Sequence, residues 1–133
     1  MFDLRAHKRG RLCYGETAMK PSPDLLRGAL EPVILEVIAG GATYGYEIAR
    51  AIDQTSGGRL LAQEGTLYPA LHRLEKRRLL EAEWSLSPEG RQRKHYRLTA
   101  LGRKERLALR KEWTDFTRAV NLILGIQHVQ AAW

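Results

Sequence analysis

Apolar positions keep helical spacing through the first half of this chain, alternate every second residue for a stretch after it, and then return to helical spacing. Leu26, Leu30, Val33, Ile34, Val37 and Ile38 recur three and four apart. They predict a helix from about Leu30 to Ala39, with Pro32 in the first turn, where a missing N–H costs nothing. Gly40-Gly41 ends it by offering positive φ at little cost, and Thr43 is the predicted N-cap of a second helix from Tyr44 to about Gln54. Ile48, Ala49 and Ile52 face inward there, and Gly57-Gly58 stops it. A third helix, roughly Glu64 to Arg77, collects Leu67, Ala70, Leu71 and Leu74 on one stripe. Its opposite face carries Gly65, Pro69, His72, Arg73 and Lys76, with Thr66 and Tyr68 on the flanks. Small residues near the N-terminus and cations further along suit a groove, and the free N–H groups of the first turn favour a phosphate.

The period then changes. Leu80, Ala82 and Trp84 alternate with Glu81 and Glu83, and Tyr96 and Leu98 alternate with His95, Arg97 and Thr99, which predicts two antiparallel strands. The segment Ser87 to Lys94 between them, with Pro88, Gly90, Arg91, Arg93 and Lys94, reads as a cationic hairpin tip. Thr99 caps a last helix that continues to the neighbourhood of Leu124. Leu109, Trp113, Phe116, Val120 and Ile123 lie 4, 3, 4 and 3 apart in it, the spacing of a heptad seam. Such a stripe is buried either in the chain's own core or against the same helix of a second subunit; the second is more economical in so small a body. The predicted fold is mainly α with a small β-hairpin, a winged helix-turn-helix followed by a dimerisation helix.

Charge sharpens this picture because it is unevenly spread. Residues 21–75 carry four Lys and Arg against seven Asp and Glu, whereas residues 76–102 carry seven against three, and the net charge of +7 comes from the flanks of the acidic middle. A local cationic excess attracts polyanions by counterion release, though it is equally the composition of a solvated face. Residues 1–20, five cations against two anions with no apolar period, lead into Pro21 and Pro23 and read as a mobile basic arm. The arm holds no secretory signal, no apolar run spans a bilayer, and the lone Cys13 can close no intrachain disulfide, all of which fits a cytoplasmic chain. Catalysis finds no support: His7, His72, His95 and His128 have no ligand spacing, and no glycine-rich phosphate loop is present, so neither metal nor cofactor is expected.

Four strings occur in order. Gly28-Ala29-Leu30-Glu31-Pro32, Tyr44-Gly45-Tyr46-Glu47-Ile48, Gly65-Thr66-Leu67-Tyr68-Pro69-Ala70-Leu71 and Arg93-Lys94-His95-Tyr96-Arg97-Leu98-Thr99 together resemble the signatures of PadR-type regulators, over about Leu25 to Arg110. The short C-terminal part is similar to the smaller subfamily, with a single C-terminal helix. The resemblance implies a DNA-binding domain at 24–99 after an arm at 1–23, and a dimerisation helix and tail at 100–133. It implies a homodimeric repressor on double-stranded DNA, at a partly palindromic operator, released by a small aromatic or cationic effector. Tyr46, Thr66, Tyr68 and Arg73 match residues that meet backbone or base edges, and Arg93 and Lys94 match the wing; Arg91 joins them at the hairpin. Tyr46 and Tyr68 could equally cap the core, and Trp113 and Phe116 could equally serve packing alone or bind the effector. Two positions depart from the pattern. Arg78 stands where the family usually has glycine, which puts strain on the order of 1 kcal/mol into a left-handed turn, and Ala100 replaces a proline. A winged helix can also serve protein assembly or RNA binding without operator specificity.

Overall fold

The computed structural model describes residues 23–126. The predicted arm up to residue 22, with His7 and Cys13, lies outside the described residues, as do His128 and the end of the tail. In order the elements are α1 (Pro23–Ala39), α2 (Gly45–Thr55), α3 (Glu64–Lys76), β1 (Leu80–Leu86), β2 (Gln92–Leu98) and α4 (Ala100–Leu124).

The first helix is longer than its apolar spacing suggests. It begins at Pro23, so Pro32 stands in mid-helix and not in the first turn, with no N–H to give to the carbonyl of Gly28. Gly28 is exposed and nothing occupies the space beside its Cα, so water can take the freed carbonyl and the helix runs through. Leu30, Ile34, Leu35 and Ile38 of α1 are buried, and α1 packs against α2, α3, α4 and β2. Burial on more than one side accounts for Leu35, which lies off the predicted stripe. Ile48, Ala49 and Ile52 of α2 and Leu67, Ala70, Leu71 and Leu74 of α3 complete the core on their predicted faces.

Thr43 does not cap α2. Tyr44 takes the N-cap position without a side-chain bond, while the Thr43 N–H and hydroxyl both donate to Glu47 Oε1, at 2.9 and 3.0 Å. The reason lies across the fold: Thr43 O accepts from the Tyr96 N–H at 2.7 Å and Tyr44 bridges His95, so this segment serves as a third rung beside the hairpin.

The hairpin pairs from Leu80 with Leu98 to Leu86 with Gln92. Its turn is tighter than expected, because Ser87 N donates to Arg91 O at 2.7 Å, Arg91 N donates to Ser87 Oγ at 3.1 Å, and Gly90 takes φ 83°. Of the expected tip cations only Arg91 is in the turn; Arg93 and Lys94 are in β2 and half-buried. Alternation places Trp84 on the same face as buried Leu80, yet Trp84 is 63% exposed, since the hairpin has left the body and no layer covers it there. Thr99 caps α4 as predicted: its Oγ1 accepts from Gly102 N at 2.9 Å and donates to Arg78 O at 2.7 Å, a cap worth about 1 kcal/mol. Three helices, a hairpin wing and one long final helix make a winged helix-turn-helix, mainly α, as the periodicity predicts.

Candidate nucleic-acid interface

Helix α3 buries one stripe and turns the rest outward. Gly65, Pro69, His72 and Lys76 are all exposed, and nothing lies beside the Cα of Gly65, so another surface can approach the backbone there. Pro69 repeats the device seen in α1: four residues after a glycine, it leaves the Gly65 carbonyl without a helical donor on the exposed face. Thr66 is half-buried on the flank. Arg73 leans toward α1, where its Nε lies 4.0 Å from Glu31 Oε2, and Arg77 one turn later holds the same carboxylate at 2.6 Å and reaches Glu105 of α4 at 3.4 Å. The cations at the end of α3 are thus ordered by acids of the neighbouring helices, and Arg73 keeps only the looser tie.

The other flank of α3 faces the wing. Lys94 Nζ is 2.8 Å from Glu75 Oε1 and lies over the rings of Tyr96 at 5.5 Å and Trp84 at 5.9 Å. Its hydrogen bond to Glu75 holds the ammonium pKa above the ordinary lysine value of 10.5. Any stability from this pair is fully present below that value and lost as pH rises through the raised one. Both partners are about one-third exposed, so the pair contributes no more than about 1 kcal/mol, and it ties the wing to α3. Arg93 stacks its guanidinium on the Tyr44 ring at 4.4 Å, and that ring lies 5.4 Å from His95. His95 Nδ1 is 3.0 Å from Thr43 Oγ1, whose proton goes to Glu47; Nδ1 therefore carries the hydrogen and donates. Wing and α2 are locked by these contacts.

Between them opens a cleft of about 900 Å³ lined by Tyr44, Gly45, Tyr46, Tyr68, Trp84, Tyr96, Arg91, Arg93 and Lys94, among others. Tyr68 lies so close on Gly45 that a Cβ there would meet its ring and hydroxyl, and burial, then Glu64, then Tyr96 raise its phenol pKa, keeping it a neutral hydrogen-bonding group. Five aromatic side chains with three cations form a surface for a polyanion that also has flat apolar faces. The structure brings Tyr46, Tyr68, Arg91, Arg93 and Lys94 into this cleft and leaves Gly65, Pro69, His72 and Lys76 on the exposed face of α3, with Arg73 on the opposite flank. Sequence reasoning missed Glu75, Tyr44 and His95, whose roles depend on which element each meets; the one local signal was that Tyr44 and His95 stand inside the quoted strings.

The model of the transcriptional regulator PadR-like family matches residues 34–108, more than half of the chain. The chain belongs to the PadR-like family. An uncharacterised protein of Lysinibacillus sphaericus is 36% identical over 101 residues, 76% of this chain and 93% of its own length. Among solved structures, a transcriptional regulator from Clostridium thermocellum superposes with a TM-score of 0.68 at 31% identity, covering 74% of this chain and 95% of that one. A PadR-like transcriptional regulator from Bacillus cereus does so with a TM-score of 0.64, also at 31%, covering 76% and 96%. As a PadR-like protein the chain is a DNA-binding transcriptional regulator and not an enzyme. No helix among the described residues is long and apolar enough to cross a membrane, and no three His, Cys, Asp or Glu among them are grouped to hold a metal.

Proposed function

We propose that this PadR-like regulator is a homodimeric repressor, which sets α3 of each subunit into the major groove of a partly palindromic operator and holds the flanking backbone with its wing. In this reading Gly65, Pro69, His72 and Lys76 meet the groove, Tyr46, Thr66 and Tyr68 the sugar-phosphate edge, and Arg91, Arg93 and Lys94 the phosphates. Arg73 reaches a guanine edge by giving up its long contact to Glu31. Residues 24–99 act as the DNA-binding domain and 100–133 as dimerisation helix and tail.

The observation that carries the dimer is the uncovered stripe of α4. Trp113, Phe116 and Ile123 are 41%, 59% and 84% exposed, while Leu109 packs on the core of its own subunit and Val120 is half-buried. The same helix of a second subunit offers the same stripe, and each apolar Å² removed from water contributes about 25 cal/mol. Trp113 and Phe116, with ring centroids 6.0 Å apart, give a planar aromatic or cationic effector flat faces at that seam, so that its binding can favour a dimer geometry that misplaces the two copies of α3.

Selection of bound fragments from the source genome, followed by footprinting, tests the reading. The expected result is an inverted repeat with half-sites about one turn, roughly 34 Å, apart, released by a member of a panel of planar aromatic and cationic compounds. Fragments without a shared repeat, or equal retention of RNA of matched length, would contradict it.

A further inference from the structure

Trp84 is the largest side chain of the wing and 63% of it is exposed; Leu86, two residues on and therefore on the same face of β1, is 68% exposed. The core needs neither, because that face enters the body only at Leu80 and Ala82. Trp84 is nevertheless held. Its cross-strand partner is Lys94, whose ammonium lies over the Trp84 ring at 5.9 Å and is tied to Glu75 of α3 at 2.8 Å. The indole thus forms one wall of the cleft between the wing and the start of α2, in line with Lys94 and Tyr96. An exposed tryptophan fixed beside cations, on the surface that meets a polyanion, is matched to the part of that polyanion that is uncharged.

We propose that Trp84 and Leu86 form an apolar wedge that packs on deoxyribose faces in the DNA minor groove beside each recognition helix. The proposal rests on the wing facing DNA, and it gives the wing a second contact of a different kind. Charge complementarity selects DNA as the occupant: Arg91, Arg93 and Lys94 outnumber Glu89 in the lining of the same cleft, and their attraction brings the backbone up to the indole. The contact carries no sequence code; it widens or bends the groove by pressing on its walls.

The two kinds of contact separate in salt. Losing a phosphate contact flattens the dependence of log affinity on log salt by about 0.9, whereas losing an apolar contact lowers affinity at every salt concentration with the slope unchanged. The test uses the full chain with a random-sequence duplex of about 30 base pairs, long enough for two half-sites and flanks. Trp84→Ala is expected to bind about tenfold more weakly with an unaltered slope, and Trp84→Phe to recover most of the loss. In protein labelled with fluorotryptophan, the fluorine signal assigned by Trp84→Phe should shift on adding duplex. Affinity unchanged in Trp84→Ala, or a fluorine signal indifferent to duplex, overturns the wedge, provided that Arg91→Ala still flattens the slope. If the wild-type chain and Arg91→Ala bind the duplex with the same affinity and slope, the wing does not face DNA, and the wedge falls with the reading beneath it.

Discussion

Arg78 sits just past the end of α3 with φ 63°, the one described residue other than glycine in the left-handed region. Around it the chain closes a Schellman motif, with Leu79 N donating to Leu74 O at 3.0 Å and Arg78 N to Glu75 O at 2.9 Å. A side chain in this conformation costs about 1 kcal/mol or a little more, which glycine avoids. Arg78 itself is exposed, but the backbone that follows it is fixed: Leu79 O accepts from Thr99 N at 3.1 Å, and a Cβ on Gly102 would collide with that same carbonyl. Arg78→Gly is therefore expected to raise stability by about 1 kcal/mol, a gain in Tm of about 4 °C for a chain of this size, with the proposed DNA surface untouched. Thermal unfolding of the two proteins checks it, and an unchanged or lower Tm would show that the arginine side chain earns its place through contacts.

At the scale of elements, the cations of the wing proposed to face DNA are not equivalent. Arg91 is exposed in the turn and has no ion pair among the described residues, whereas Lys94 is already neutralised by Glu75. Arg91→Ala should flatten the salt slope of DNA binding by about 0.9, and Glu75→Gln, which frees Lys94, should steepen it by a similar amount and strengthen binding at low salt. Fluorescence anisotropy across a salt series reads both; a flat response to Glu75→Gln would mean that Lys94 never leaves its partner. Elements such as α3 and α4 were legible in the sequence because one buried stripe and one cap specify each: Leu67, Ala70, Leu71 and Leu74 for the first, Thr99 for the start of the second. Local pattern misleads where a neighbouring element decides. Thr43 looks like a cap and is recruited by β2 instead; Trp84 alternates like a core residue, but its strand has run past the core; Pro32 looks like a helix start, and an exposed glycine four residues earlier lets the helix pass. The candidate site residues were named from the outward face of α3, the cationic hairpin and the quoted strings, yet the ties of Arg73 to Glu31 and of Lys94 to Glu75 arise only from packing.

For the whole molecule, ion pairs join α4 to the body up to Arg110: Arg106 donates to both oxygens of Glu36 at 3.1 Å, and Arg110 lies 3.6 Å from the same carboxylate. Beyond that point α4 carries Trp113, Phe116 and Ile123 outward, together with Leu122, and Ile126 is exposed just past its Gly125 cap; the seam spacing had included neither of these last two. A stripe that a monomer does not need predicts a clean separation of folding from association. Ile123→Glu should leave thermal stability in dilute solution within about 0.5 kcal/mol, as for an exposed site in a monomer, and break the dimer. In the proposed mechanism two chains joined through α4 read one operator. Sedimentation velocity of the chain with and without operator duplex tests it most directly: the account predicts a dimer at micromolar concentration and two chains per duplex, with Ile123→Glu monomeric and weakly bound. A wild-type chain that sediments as a monomer and binds the operator one chain per duplex with full affinity would contradict it.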